Sequence, residues 1–215
     1  KIPSGINVGM SGFTGSGYPK EIPVALAARI REENNPDKPF KISVWTGAST
    51  APELDGALAE VDCIDMRLPY QSDPVCRQKI NTGEMKYMDI HLSHVAQHAW
   101  FGFYGDLKIA IIEVVGITED GKLIPAGSVG NNKTWIDQAD HVILEVNYAL
   151  SEKMEGMHDI YYGTALPPNR KPVLINKVDD RIGQPYFNCP PEKVIAIVET
   201  YATDRENFFA EPDEG

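Results

Sequence analysis

Apolar runs rich in β-branched residues alternate along the chain with stretches in which apolar positions recur every three or four residues. The first kind reads as strand and the second as amphipathic helix. Strands are expected at 6–10, 41–45 and 64–68, within the stretch MKYMDIHLS, and at 108–115, 141–146, 173–176 and 194–200. The last run is ambiguous with a helix, but its β-branched content favours strand. Helices are expected at 22–33, where Ile22, Leu26 and Ile30 share one stripe, and at 52–61, with Pro52 in the first turn. Further helices are expected at 73–80 behind Asp73 as N-cap, at 95–103 and at 134–138. The run at 108–115 is apolar almost without a break, as in a strand buried on both faces, and EDGK follows it as a hairpin signal.

Strands alternating with helices imply βαβ units, hence an α/β fold with a mostly parallel open sheet and helices on both faces. No internal repeat interrupts the pattern, and LPPNRKP reads as a loop rather than a linker. At 215 residues the chain is read as one domain, 1–215. Composition changes this picture little: 42% apolar and 24% charged residues suit an ordinary globular core. The net charge of −11 argues against non-specific nucleic-acid binding, which needs a basic footprint. No apolar run approaches the roughly 18 residues of a membrane helix. Nor does the start carry a signal-like apolar core, and Lys1 in place of a methionine is read as processing or a cut. Cys63, Cys76 and Cys189 are far apart and odd in number, so neither a zinc site nor a disulfide framework is indicated. A reducing compartment, the cytoplasm or a mitochondrial matrix, is expected.

Candidate chemistry begins at GMSGFTGSGYPKEIP, residues 9–23, where four glycines follow a strand and precede a helix. Such a turn gathers backbone N–H groups and the positive end of a helix dipole around one point, where an anion or a developing oxyanion could sit. The spacing is neither a dinucleotide fingerprint nor a P-loop, so a tight turn with no ligand is the alternative. Ser49 follows the 41–45 strand, at the end where doubly wound sheets bind ligands. Its alternative is a helix N-cap, a part Thr50 could take instead. His91, His94 and His98 share one helical face, but no carboxylate completes a ligand set, so no metal is expected. Glu113 and Glu145 are embedded in apolar strands and suggest a polar layer along one sheet edge. A buried carboxylate there has a raised pKa unless paired; neither is read as a nucleophile.

Gly12 to Pro19, GFTGSGYP, resembles the G-F-x-x-x-G-x-P element of CoA-transferases, with Ser11 where many members carry a further glycine. TGAST, ELDGALA, INTGE, ITEDG, SVGN, EVN, EGMHDIYYG and PEKVIAIVET follow in the order of the acetyl-CoA hydrolase/transferase family. The resemblance covers nearly the whole chain. It implies one half of a two-half enzyme with a NagB/RpiA-like fold. The nucleophilic glutamate, which forms a glutamyl-CoA thioester, then lies in a C-terminal half beyond AEPDEG. It implies that coenzyme A is a substrate rather than a bound cofactor, that an acyl-CoA and a small carboxylate are the ligands, and that the full enzyme is a homodimer. It also implies that Ser49 stands beside the catalytic glutamate and that Gly12, Phe13, Gly15 and Gly17 border substrate. Arg205, matching a family arginine, would meet a CoA phosphate or a substrate carboxylate, with a solvated surface arginine as the alternative. Arg181 carries a weaker case, and His158 lies in a family-like loop. Acyl-CoA hydrolysis is the near variant. A phosphate- or nucleotide-binding module and a histidine-based metal hydrolase are the readings from other classes.

Overall fold

The computed structural model describes residues 1–33, 35–49, 51–163 and 166–205, with Ser49 described by its backbone. Seven parallel strands make the main sheet in the order β10-β9-β7-β1-β3-β5-β6, and β8 pairs antiparallel with the far end of β7. These are β1 (Ile6–Met10), β3 (Ile42–Trp45), β5 (Ile64–Leu68), β6 (Lys86–Tyr87), β7 (Leu107–Ile117), β8 (Leu123–Pro125), β9 (His141–Asn147) and β10 (Val194–Thr200). A separate two-stranded ribbon joins β2 (Phe13–Thr14) to β4 (Ala48–Ser49). Strand order runs outward from β1 in both directions, so it reverses between β1 and β7. This is the doubly wound plan that the alternation of patterns predicts.

Period-two alternation sorts the strand side chains onto two faces. Val8, Met10, Val44, Ile64 and Ile111 point to one face with α1 (Glu21–Glu33), a π-helical turn (Pro52–Gly56), α2 (Ala57–Glu60) and α3 (Pro74–Asn81). Trp45, Ala110, Ile112 and Leu144 point to the other, under α4 (Leu92–Trp100) and α5 (Asn132–Gln138). β7 is buried from both sides along Ile109–Val115, as expected of a run that is apolar except at Glu113. Asp73 caps α3, accepting from the N–H groups of Val75 and Cys76.

Two expectations change. Residues 173–176 form no strand: no neighbouring strand offers them a ladder, and Val173, Leu174 and Ile175 stand exposed. The helix expected at 95–103 starts earlier, at Leu92, and ends at Trp100, where the chain turns through Gly102 at φ +75°. The closing AEPDEG stretch lies outside the described residues.

Candidate active-site face

The loops leaving β1, β3 and β8 meet at the carboxyl ends of the central strands. β2 and β4 zip the first two together, with Phe13 opposite Ala48 and Thr14 opposite Ser49. The third loop locks both: Asn131 donates from its backbone N to Ser11 Oγ (2.9 Å) and from Nδ2 to Thr46 O (3.1 Å). Ser128 Oγ donates to Ser16 O at 2.8 Å. Ser49 and the glycine loop are therefore brought together, next to the point where strand order reverses. Phe13 is 56% exposed there, an apolar ring left facing outward. Thr14 holds φ +48°, a left-handed conformation uncommon outside glycine.

The glycines answer first to their own chain. Gly17 sits at φ +67°, and a Cβ there would lie 2.5 Å from Ser128 N. A Cβ on Gly12 would meet Ser16 O at 2.5 Å, and one on Gly15 would meet Arg205 Cβ at 2.9 Å. The close approach that the glycine-rich pattern signals is thus, within this chain, an approach to the SVGN loop and to the segment after β10.

The helix that follows offers no anion seat, which corrects the expectation drawn from its dipole. Glu145 of β9 already occupies it, accepting from Lys20 N (2.6 Å), Glu21 N (2.9 Å) and Ile22 N (3.0 Å). A carboxylate at this position satisfies N–H groups that have no partner within the helix and complements the dipole.

Glu113 and Glu145 stand opposite one another on β7 and β9, the polar layer expected from their apolar surroundings. Glu113 is fully buried and accepts from Lys20 Nζ (2.6 Å) and Asn147 Nδ2 (2.8 Å). Burial pushes its carboxyl up to about 7, against the pull of Lys20 and Asn147. Lys20 also meets Asp204 Oδ1 at 2.7 Å. Arg205 forks its guanidinium onto Glu53, which also accepts from Tyr18 Oη at 3.0 Å. Burial is the largest single influence on Glu53 and pushes it up, but the hydrogen bonds from Arg205, its own backbone and Tyr18, with the Arg205 charge, together outweigh it and hold the carboxyl below its usual range. Burial, then the Glu53 charge, raises the Tyr18 hydroxyl. Beneath the Ser49 loop lies a second pair, Arg67 Nε to Asp55 Oδ1 at 2.7 Å, both fully buried. Arg67 Nη1 donates to Thr46 Oγ1 (2.7 Å) and Asp55 Oδ2 accepts from Ala51 N (3.1 Å), so one ion pair pins both ends of that loop. The π-helical turn is capped at Ala51, not at Ser49, and Thr50 lies outside the described residues.

Other candidates go elsewhere. Among the described residues no group of His, Cys, Asp or Glu is arranged to hold a metal. His94 stacks on His98, which packs against Phe103. Arg181 bonds the carbonyls of Gly156 and His158 and pairs with Asp159, stapling one turn of the 156–159 loop. His158 Nε2 lies 2.8 Å from Ala126 O. Lys20, Glu53, Asn147, Asp204 and the Asp55–Arg67 pair are what sequence reading missed. Their signal is weak, because each is an ordinary charged or polar residue whose partner lies in another element, 12 residues away for Asp55 and Arg67 and 93 or more for the Lys20–Glu113 and Asp204–Gly17 bonds.

A family model described as the acetyl-CoA hydrolase/transferase N-terminal domain matches residues 1–199. The succinyl-CoA:acetate CoA-transferase of Clostridium kluyveri is 44% identical over 210 residues, 98% of this chain and 38% of that protein. The acetyl-CoA hydrolase of Schizosaccharomyces pombe is 42% identical over 202 residues, 91% of this chain and 38% of that one. The chain thus spans about two-fifths of the length of the curated relatives it matches. In fold it is similar to glutaconate coenzyme A-transferase from Acidaminococcus fermentans, with a TM-score of 0.58 at 13% identity over 93% of this chain and 72% of that one. No helix among the described residues is long and apolar enough to cross a membrane. The extent of the family match, together with the doubly wound sheet, shows that this chain belongs to the acetyl-CoA hydrolase/transferase family, through its N-terminal domain.

Proposed function

We propose that this chain is the N-terminal half of an enzyme that moves coenzyme A between an acyl-CoA and a small carboxylate such as acetate or succinate. The observation that carries this reading is the β2–β4 ribbon, which sets Ser49 against the glycine loop at the carboxyl ends of β1 and β3. Doubly wound sheets bind ligands at that place. The share of the relatives' length that the chain spans supports a further half carrying the nucleophile.

In this reading a glutamate carboxylate of the C-terminal half attacks the thioester carbonyl and expels CoA thiolate, forming a mixed anhydride. The thiolate attacks the glutamyl carbonyl, releases the acyl carboxylate and leaves a glutamyl-CoA thioester. The acceptor acid runs the same steps in reverse, so no proton or electron is consumed. Ser49 donates its hydroxyl to the carboxylate or to the thioester oxygen. The backbone of 12–17 and the Phe13 ring shape the acyl end. Arg205 meets a CoA phosphate or a substrate carboxylate by exchanging it for Glu53. Coenzyme A is a substrate here, no cofactor stays bound, and the whole enzyme is a homodimer.

The test is thioester exchange by the full-length protein with acetyl-CoA and succinate, with intact-mass detection of a CoA adduct. Turnover on the order of 1–10³ per second is expected. Ser49→Ala should lower kcat by roughly 10–10³, the range for losing one preorganised donor. The isolated 1–215 chain should be inactive, because it lacks the nucleophile. Absence of both exchange and adduct with acetyl-, propionyl- and succinyl-CoA would overturn the proposal. CoA release without an acceptor acid, at the rate of exchange, would make the enzyme a hydrolase instead.

A further inference from the structure

We infer that Asp204 is a positioning residue for the glycine loop, and that through the loop it sets the geometry of the proposed transfer, on which reading this inference rests. β10 ends at Thr200 on the edge of the sheet, and the chain then folds back toward β1. Over the end of β9, Asn147 Nδ2 donates to Ala202 O at 2.7 Å. Asp204 then enters the glycine loop. Its carboxylate accepts from Ser16 Oγ (3.0 Å) and Gly17 N (3.1 Å) and meets Lys20 Nζ at 2.7 Å. Arg205 N donates to Gly15 O at 2.9 Å and completes the grip. Gly127 leaves room for it: a Cβ there would lie 2.7 Å from Asp204 Oδ2.

These bonds are unlike a surface contact. Asp204 is 20% exposed and Lys20 2%, so solvent screens the pair little. Charge-assisted bonds are among the stronger ones available to a loop. The glycines at 15 and 17 have no side chains with which to pack, so the loop owes its position to such outside partners. Ser128 holds one side of it and Asp204 the other. Because the ribbon joins Thr14 to Ser49, any shift of the loop is passed on to the serine.

The experiment uses full-length protein carrying Asp204→Ala or Asp204→Asn. Backbone hydrogen exchange is read at Ser16 and Gly17, with amides of β1 and β3 as internal control, and kcat and KM are measured separately. Asp204→Ala should speed exchange in the loop about tenfold or more while the sheet amides hold, since local opening is separable from global unfolding. It should lower kcat by about 10–100-fold with KM for acyl-CoA nearly unchanged, the effect of a small misplacement near the reacting atoms. Asp204→Asn keeps an acceptor for Gly17 N–H and should recover most of both. Unchanged loop exchange in Asp204→Ala overturns the inference, as does faster exchange spread through β1 and β3. Faster loop exchange with unaltered kcat and KM overturns it too. A wild-type protein without activity sinks the transfer reading instead, and exchange at Ser16 and Gly17 still decides whether Asp204 holds the loop.

Discussion

The two loops that β2 and β4 join are held by opposite means. The loop after β3 is pinned from within by Asp55 and Arg67, a pair 12 residues apart with both side chains fully buried. The loop after β1 is gripped from outside by Asp204, 20% exposed and 187 residues away from Gly17. A pair with both charges fully desolvated costs a great deal to break, whereas one whose carboxylate keeps some contact with water can trade its partner for solvent at less cost. One wall of the candidate site therefore belongs to the core. The facing wall is set by a segment that could loosen while the core stays intact.

The largest effect should come from breaking the buried pair. Arg67→Met leaves Asp55 without a counter-charge and should cost about 3–5 kcal/mol in urea melts. Asp55→Leu added to Arg67→Met should restore most of that, because a buried pair and an apolar replacement are often close in energy. A single-variant loss under about 1 kcal/mol would put the Ser49 loop on the same footing as its neighbour. On the other side, Gly17→Ala combines a left-handed φ with the close approach of Ser128 N. It should cost about 2–4 kcal/mol, and an unchanged melting temperature would mean that the loop is not fixed there.

A pH series sharpens the contrast further. The Glu113 carboxyl, raised from 4.5 to about 7, binds more protons folded than unfolded across that window. Its contribution is therefore fullest below about 4.5 and is lost as pH rises to about 7, by up to about 3 kcal/mol. Glu113→Gln should lack that slope, so the difference between the wild-type and variant curves isolates it; parallel curves would refute the assignment. The smallest effect belongs to a position outside both loops. Leu174 is 69% exposed, and Leu174→Ser should shift stability by no more than about 0.5 kcal/mol. A larger loss would show that the exposed 173–176 stretch is packed in solution.

What was legible in the sequence was what depends on neighbours along the chain. The apolar run around Ile109–Val115 announces a strand buried on both sides, and Asp73 before Pro74 announces a cap, because each signal is written within one element. Residues 173–176 have the same local signal and fail, since a strand needs a partner and periodicity says nothing of one. The glycine loop was visible, but its immediate partners were not: Ser128 and Asp204 look like any serine and any acid. Glu113 and Glu145 stood out against apolar surroundings, yet only the register of β7 against β9 reveals that they lie side by side, one paired with Lys20 and the other closing a helix.

The separation of Asp204 from Gly17 also has a consequence for how the protein is made. The glycine loop leaves the ribosome well before the carboxylate that grips it, which follows 187 residues later. At ordinary rates of synthesis that delay is on the order of 10–40 s. During that interval β1 and β3 can pair, but the loop between them and the site lacks its outer support. The loop is thus synthesised early and closed late. A nascent chain that ended between residues 200 and 204 would hold every strand of the sheet and an unfinished site.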